Sequence, residues 1–309
     1  MILPPKISRS LEEFAGRADF RKGALVLDLD GTALLEREGK VFISSAVEKA
    51  VRAVHDIKRP VILNTLRFPI SVLTTVGEAW YQIADVPILT VLLNGAVSGY
   101  IVRTNGTLEY EELMSFPLNE TEIRKMLDGI EELLEAKITD LVLFYYSRDW
   151  RAGETVWTPH ADRVEGLKKK YRSASRVIAG TSAELELELL GKEICMACLF
   201  IDRPADTLMA YQHTKRNSFL TAAGINKATG LRALAERLGI SLDDSIGAGD
   251  TEMDSFLSEV GLAVIVGRSE LSYRGKTGTI RVADPQELGE MILQFTAAAE
   301  RKGIDGGKA

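Results

Sequence analysis

Apolar and polar positions follow two rhythms along the chain. Short apolar runs that end abruptly in polar residues occur at 24–29, 60–64, 88–93, 244–248, 262–266 and 279–282. Each has the length and composition of a buried strand. Between them the apolar residues recur at helical spacing. Ser44 and Ser45 open a helix through Ile57 with Ala46, Val47, Ala50, Val51 and Val54 on one face. Pro69 suits the first turn of a helix reaching about Ala84. Further helices are predicted over 227–238, with Leu231, Leu234, Ala235 and Leu238 on one face, from Thr251 onward, and from Pro285 to about Ala299. Strands that alternate with helices build a parallel sheet covered on both faces, so the predicted fold class is α/β, a doubly wound, Rossmann-like core.

The alternation breaks after Gly95. Asn105-Gly106, flanked by apolar-rich 101–104 and 107–110, is a type I′ hairpin signal. A long amphipathic helix at 119–135 comes next, then strands at 140–146, 176–179, 194–201 and near 218–222. Helices fall near 161–171, 182–190 and 204–213. This mixed segment is long enough for its own core. The predicted organisation is a discontinuous core, 23–98 plus 216–300, interrupted by an α+β insert at 99–215. A polar lead covers 1–22, with a short helix near Ser10–Phe14, and a Gly/Lys-rich tail at 301–309 is expected to be disordered. There is no internal repeat.

Composition narrows the function classes. The chain has 309 residues, 46% hydrophobic and 27% charged, with a net charge of −6. That balance points to neither nucleic acid nor a membrane surface as partner, and no apolar run approaches the ~20 residues of a membrane span. The two prolines of the N-terminal Met1–Lys6 do not suit a signal peptide. The two cysteines fit a reducing, cytoplasmic location. Cys195 and Cys198 form Cys-x-x-Cys, but there is no second pair, and His55, His160 and His213 show no metal-ligand spacing relative to them. Lying inside the apolar run 194–201, they read as buried strand residues.

The chemistry sits at strand ends. The first strand runs into Asp28-Leu-Asp-Gly-Thr32, which puts the carboxylates of Asp28 and Asp30 where open α/β sheets bind ligands. Asn64-Thr65-Leu66-Arg67 comes directly after the second strand, and the Thr65 hydroxyl and Arg67 guanidinium can bind anionic oxygens. Lys227 opens a helix, an electrostatically unfavourable place that a bound anion would relieve. In Ser245-Ile-Gly-Ala-Gly-Asp-Thr-Glu-Met-Asp254, Asp250 and Asp254 share one side of the turn after a strand. They suit an oxygen-loving cation such as Mg²⁺ as well as capping. Each signal alone has an ordinary reading as a turn, a cap or a surface charge; together they converge on one sheet edge.

With these four motifs in this order, the chain resembles the haloacid dehalogenase superfamily of phosphotransferases. Asp28–Thr32, Thr65, Lys227 and Gly249–Asp254 match its four motifs, and the insert resembles the large C2 cap of the Cof-type (class IIB) sugar-phosphate phosphatases. The resemblance, from about 23 to 300, implies a phosphatase for a small phosphorylated metabolite, a sugar phosphate in that family's usage, with Mg²⁺ as cofactor. It implies Asp28 as nucleophile, Asp30 as acid and base, and Thr65 and Lys227 on the phosphoryl oxygens. Asp28, Asp30 (through its carbonyl) and Asp250 would hold the metal, with Asp254 behind them or orienting Lys227. Arg67, Asn94 and Gly95 would lie near substrate. Leu66 stands where relatives carry Gly, Met253 where they carry Asn, and Arg268 near the place of another Asn; the lead at 1–22 is unusual. The segment from Tyr145–Arg151 through Trp157–His160 concentrates aromatic and cationic groups and is a candidate specificity loop, and equally a candidate surface loop or dimer contact. The same fold also hosts phosphomutases like phosphomannomutase, separated by water access, and non-catalytic binding proteins, against which the intact acids argue. A monomer or homodimer is expected.

Overall fold

The structure, a computed structural model, describes residues 5–37, 40–201 and 219–305. The helix expected at 204–213 lies outside the described residues. The described chain forms two compact units, one of residues 1–65, 73–113 and 226–309, the other of residues 66–72 and 114–225.

The first unit is built on an eight-stranded sheet. Its strands lie in the order Gly278–Val282, Leu262–Val266, Ile246–Gly249, Leu25–Leu27, Val61–Asn64, Ile88–Leu92, Val97–Thr104 and Thr107–Ser115. The first six run parallel. The strands Leu25–Leu27, Val61–Asn64, Ile88–Leu92, Ile246–Gly249 and Leu262–Val266 are buried at every position. That is what their unbroken apolar runs require of a sheet covered on both faces. From Leu25–Leu27 the chain winds outward to one side through Val61–Asn64 and Ile88–Leu92. It later returns to fill the other side. The winding reverses at Leu25–Leu27, and ligand crevices form at such switch points.

Helices cover the sheet as their periodicity predicts. Ser44 caps the helix Ser45–Asp56 by accepting from Val47 N at 3.2 Å, and the five predicted apolar residues are buried. Each buried valine there contributes about 1.5–3 kcal/mol. Its partner is the helix Pro285–Asp305, which approaches so closely that a β-carbon at Gly289 would lie 2.3 Å from the Ala46 carbonyl carbon. The helix Lys227–Leu238 buries Ala228, Leu231 and Leu234 in one cluster with Ile62, Leu89 and Val91; Ala235 is buried as well, while Leu238 at the helix end is 36% exposed.

Several expectations are corrected. The Asn105-Gly106 hairpin exists, with both residues at positive φ (52° and 81°), but it extends the central sheet instead of standing in the insert. A second hairpin, Leu34–Arg37 with Lys40–Ile43, comes after Asp30. The helix from Pro69 is interrupted by a π-helical turn at Leu73–Gly77. After Thr251 there is no α-helix, only a turn and the 3₁₀ segment Ser255–Ser258. The lead is helical over Pro5–Arg17, and Phe14 and Phe20 place their rings 5.6 and 4.8 Å from that of Phe295. The last helix continues to Asp305, into the expected tail.

The second unit holds a five-stranded sheet in the order Arg176–Ala179, Glu154–Thr158, Leu141–Ser147, Ile194–Ile201 and Phe219–Leu220. The helices Glu120–Glu135 and Ser182–Leu190 pack Ile123, Leu127, Ile130, Leu185 and Leu189 onto it. The supposed specificity loop is largely sheet: Tyr145 and Tyr146 are buried in one strand, Trp157 and Thr158 in its neighbour. Cys195 and Cys198 are buried and unbridged in Ile194–Ile201, and burial pushes the Cys198 thiol up to about 12.

Candidate active site

The parallel register brings the three motif-bearing strands of the first unit level at their C-terminal ends. Leu27 lies beside Leu63 on one side and Ala248 on the other. One residue on, Asp28 N donates to Ala248 O at 3.0 Å, and Thr65 N donates to Val91 O at 2.9 Å. Asp28, Thr65 and Asp250 therefore leave three adjacent strands at one edge.

Lys227 completes the site from above. Asn226 caps the helix, its side chain accepting from Ala228 N at 2.9 Å and Thr229 N at 3.1 Å, while Thr229 Oγ1 accepts from Asn226 N at 2.9 Å. Asn64 Nδ2 donates to the Lys227 carbonyl at 3.0 Å. Gly95, at φ 95°, lets the turn after the third strand touch this cap, since a β-carbon there would lie 2.1 Å from Asn226 O. So fixed, Lys227 Nζ donates to Asp28 Oδ1 at 2.6 Å and to Asp254 Oδ1 at 2.7 Å, with all three side chains buried.

Asp254 is engaged at both oxygens. Its Oδ2 accepts from the backbone N–H of Asp250 and of Thr251, each at 2.9 Å, and from Thr251 Oγ1 at 3.2 Å. It orients Lys227 and shapes the Asp250 turn. Asp250 is held by Thr32 Oγ1, which donates to its Oδ1 at 3.0 Å. Asp30, half-buried, turns out of the strand through a bridge to Leu34, the first residue of the unpredicted hairpin.

The electrostatics are those of an acidic site with one fixed cation. Burial pushes the Asp28 carboxyl well above the usual range, Lys227 draws it down, and Asp254 and Asp250 raise it again. Asp250 is pushed up to about 6 by burial and then by Asp254. Burial works against the Lys227 charge, but Asp254 and Asp28 prevail and hold its ammonium above the ordinary lysine range. Ligand atoms of Asp28, Asp250 and Asp254 lie within 4.8 Å of one another. A cluster of hard oxygen donors carrying more negative charge than one lysine neutralises fits a Mg²⁺ ion. Because Asp254 is committed to Lys227 and two amides, Asp28 and Asp250 would be the carboxylates to meet such an ion.

The structure thus brings together Asp28, Asp250, Asp254 and Lys227, with Thr65 at the adjoining strand end. Asn94 (φ 56°) and Gly95 form the turn after the third strand, and Gly95 packs against the cap of the Lys227 helix. Arg67, buried, belongs to the second unit. The supporting roles of Thr32, Asn64, Asn226 and Thr251 escape the sequence reading. That of Asn226 is findable, because Asn with Thr three residues later is a helix-start signature.

A profile of the haloacid dehalogenase-like hydrolases matches residues 25–273. Comparison with curated proteins finds none that matches. Similar solved structures include a phosphatase of the haloalkanoate superfamily from Bacteroides thetaiotaomicron, 20% identical with a TM-score of 0.61, covering 90% of this chain and 97% of that one. Another is a sugar phosphatase of HAD subclass IIB, 19% identical with a TM-score of 0.61, covering 91% and 99%. A third, from Thermotoga maritima, is 17% identical with a TM-score of 0.59, covering 90% and 97%. At these identities the likeness concerns the fold. It is the mixed α/β, Rossmann-like fold read from the sequence. Among the described residues no helix is long and apolar enough to cross a membrane.

Proposed function

The chain belongs to the haloacid dehalogenase-like hydrolases, and from that premise we propose that it is a Mg²⁺-dependent phosphomonoesterase. Its substrate is a small phosphorylated metabolite, a sugar phosphate by analogy with the subclass IIB sugar phosphatase of similar fold. The observation that carries this reading is the buried lysine shared by two aspartates: Lys227 within 2.7 Å of both Asp28 and Asp254.

An oxygen of Asp28 attacks phosphorus in line, the bond to the leaving oxygen breaks, and an aspartyl-phosphate forms. A nucleophile must be ionised, and burial opposes that for Asp28. Lys227 offsets part of the opposition by its charge and its hydrogen bond. Mg²⁺, held by Asp28, the Asp30 carbonyl and Asp250, would neutralise the remaining repulsion between carboxylate and phosphate. Asp30, turned out of the strand by its bridge to Leu34, gives its proton to the departing alkoxide. It then takes a proton from the water that hydrolyses the acyl phosphate. Thr65 donates to a phosphoryl oxygen. Arg67 and Asn94 are proposed substrate contacts, and the inserted unit is proposed to select the alcohol.

The test is turnover of p-nitrophenyl phosphate by purified protein with Mg²⁺ and with EDTA. We expect activity only with metal, and loss of at least ~10³-fold in kcat for Asp28→Asn, which removes the nucleophile. Metal-independent turnover, or an active Asp28→Asn variant, overturns the proposal.

A further inference from the structure

Thr65 leads without a spacer into a segment that belongs to the other unit. Residues 66–72 group with the second unit, and the first resumes at Leu73. The attachment is specific. The Phe68 ring, 3% exposed, lies 5.1 Å from that of Tyr146 at 37°. Tyr146 donates its hydroxyl to Glu154 Oε2 at 2.6 Å, and Ser173 Oγ donates to Glu154 Oε1 at 3.1 Å. Glu154 is 1% exposed, and burial raises its carboxyl. A buried carboxyl is costly unless its hydrogen bonds are made, and once made they rigidify what surrounds it. Two residues beyond Phe68, Ile70 enters the turn at Gly153: a β-carbon there would lie 3.2 Å from Ile70 Cδ1 and 2.0 Å from Ser175 Oγ. Gly153 has φ 66°.

The far end of the segment is equally marked. It passes directly into the π-helical turn Leu73–Gly77, and π turns are frequent at functional sites. The stretch is therefore fastened in its middle and bounded by Thr65 on one side and an irregular turn on the other. A hydroxyl that must meet a phosphoryl oxygen needs placement to about 0.5 Å; Thr65 is held by its own N–H bond to Val91 O at 2.9 Å and continues directly into the segment fastened at Phe68.

We propose that Phe68, held by Tyr146 and through it by Glu154, is a positioning residue: it anchors in the second unit the loop that begins at Thr65, and so sets where the Thr65 hydroxyl meets the phosphoryl group. This rests on the phosphatase reading above. It assigns a role to residues that none of the four motifs includes.

The experiment compares parent, Phe68→Ala, Phe68→Leu and Leu127→Ala, the last removing a buried side chain elsewhere in the same unit. KM for p-nitrophenyl phosphate, inhibition by inorganic phosphate, kcat and amide exchange are measured. For Phe68→Ala we expect KM and the inhibition constant for phosphate to rise together about 10-fold with kcat within about 3-fold, the mark of lost ground-state and transition-state binding alike. Phe68→Leu, which retains apolar bulk, should recover most of the loss, and Leu127→Ala should leave both constants within about 2-fold of the parent. Amides of 66–72 and of 154–158 should lose protection together in Phe68→Ala. Unchanged binding constants in Phe68→Ala, or an equal rise in Leu127→Ala, overturn the proposal. If the parent shows no Mg²⁺-dependent turnover, it is the function that fails. The anchor is then upheld by joint loss of protection and refuted by independent exchange of the two segments.

Discussion

Gly31 leaves room for Asp250: a β-carbon at position 31 would lie 2.2 Å from Asp250 Oδ2 and 2.8 Å from its Cγ. The backbone there is left-handed, at φ 78°. The carboxylate cannot simply swing aside, because Thr32 Oγ1 holds its other oxygen at 3.0 Å. Gly31→Ala should therefore displace Asp250 and strain the turn after Asp30 at once, with a stability cost of about 1–2 kcal/mol. The larger effect falls on metal use. The Mg²⁺ concentration for half-maximal activity should rise at least ~10-fold and kcat/KM should fall about 100-fold, as for a displaced catalytic group. Mg²⁺ titration of turnover alongside thermal unfolding separates the two, and parent-like Mg²⁺ dependence in a folded variant would refute the expectation.

Removing Lys227 leaves Asp28 and Asp254 buried without their shared cation. Breaking a buried ion pair from one side costs about 3–5 kcal/mol, so Lys227→Met should lower the urea midpoint markedly and abolish turnover. Arginine should not substitute: its planar fork cannot reproduce one ammonium placed within 2.7 Å of two carboxylates inside a space already filled. Urea unfolding of both variants in EDTA tests this. A Lys227→Met variant as stable as the parent would mean that the triad contributes little to the fold.

Asp250 links stability, pH and metal. Its carboxyl is pushed up to about 6 in the folded protein from a usual 3.8. Between those values the native state binds more protons than the unfolded state, so this group's contribution to stability falls as pH rises through the window. Its full penalty is present above about 6. Mg²⁺ binds the ionised form and so competes with the proton. Without metal, Asp250→Asn should raise the melting temperature near neutral pH by on the order of 2–4 °C, because the amide can still accept from Thr32. The parent should gain about 2.7 kcal/mol at a Mg²⁺ concentration 100 times its Kd, and the variant none. Melting curves from pH 4 to 8 with and without Mg²⁺ check this. A destabilised, still Mg²⁺-responsive variant would contradict it.

How much of this is legible in the sequence depends on whether local pattern or distant contact decides the structure. Asp28 and Asp250 can be read because buried parallel strands are unmistakable apolar runs, and the residue that ends each run necessarily stands at the sheet edge. Lys227 stands out as an electrostatic misfit at a helix start. The strand Glu154–Thr158 escapes the reading because its first residue is a glutamate that only the distant hydroxyls of Tyr146 and Ser173 make tolerable inside the protein. The hairpin across Asn105-Gly106 announces its turn but not its sheet, since nothing local says that Val97–Thr104 pairs with Ile88–Leu92. The turn after Thr251 carries the acidic spacing of a helix start, yet Asp254 spends its oxygens on Lys227 and the Asp250 and Thr251 amides, which closes the turn instead of propagating a helix.

Asn226 ties helix stability to catalysis and so allows a test that separates them. Its side chain accepts from two amides of the first turn, and Lys227 is the first residue of that helix. Asn226→Ala should cost about 1–2 kcal/mol as a lost cap. If the cap only stabilised the helix, saturating Mg²⁺ and low temperature would restore full activity in the folded fraction. Because Lys227 Nζ must reach Asp28 at 2.6 Å and Asp254 at 2.7 Å from a fixed helix start, we expect kcat of the folded variant to stay about 10-fold below the parent, the usual consequence of a small misplacement. Asn226→Asp, which keeps the accepting oxygen, should regain stability. It also adds a negative charge beside Lys227 and so should not regain all of kcat. Unfolding curves and single-turnover rates on the three proteins measure the two effects, and full kcat in Asn226→Ala would restrict the residue to capping.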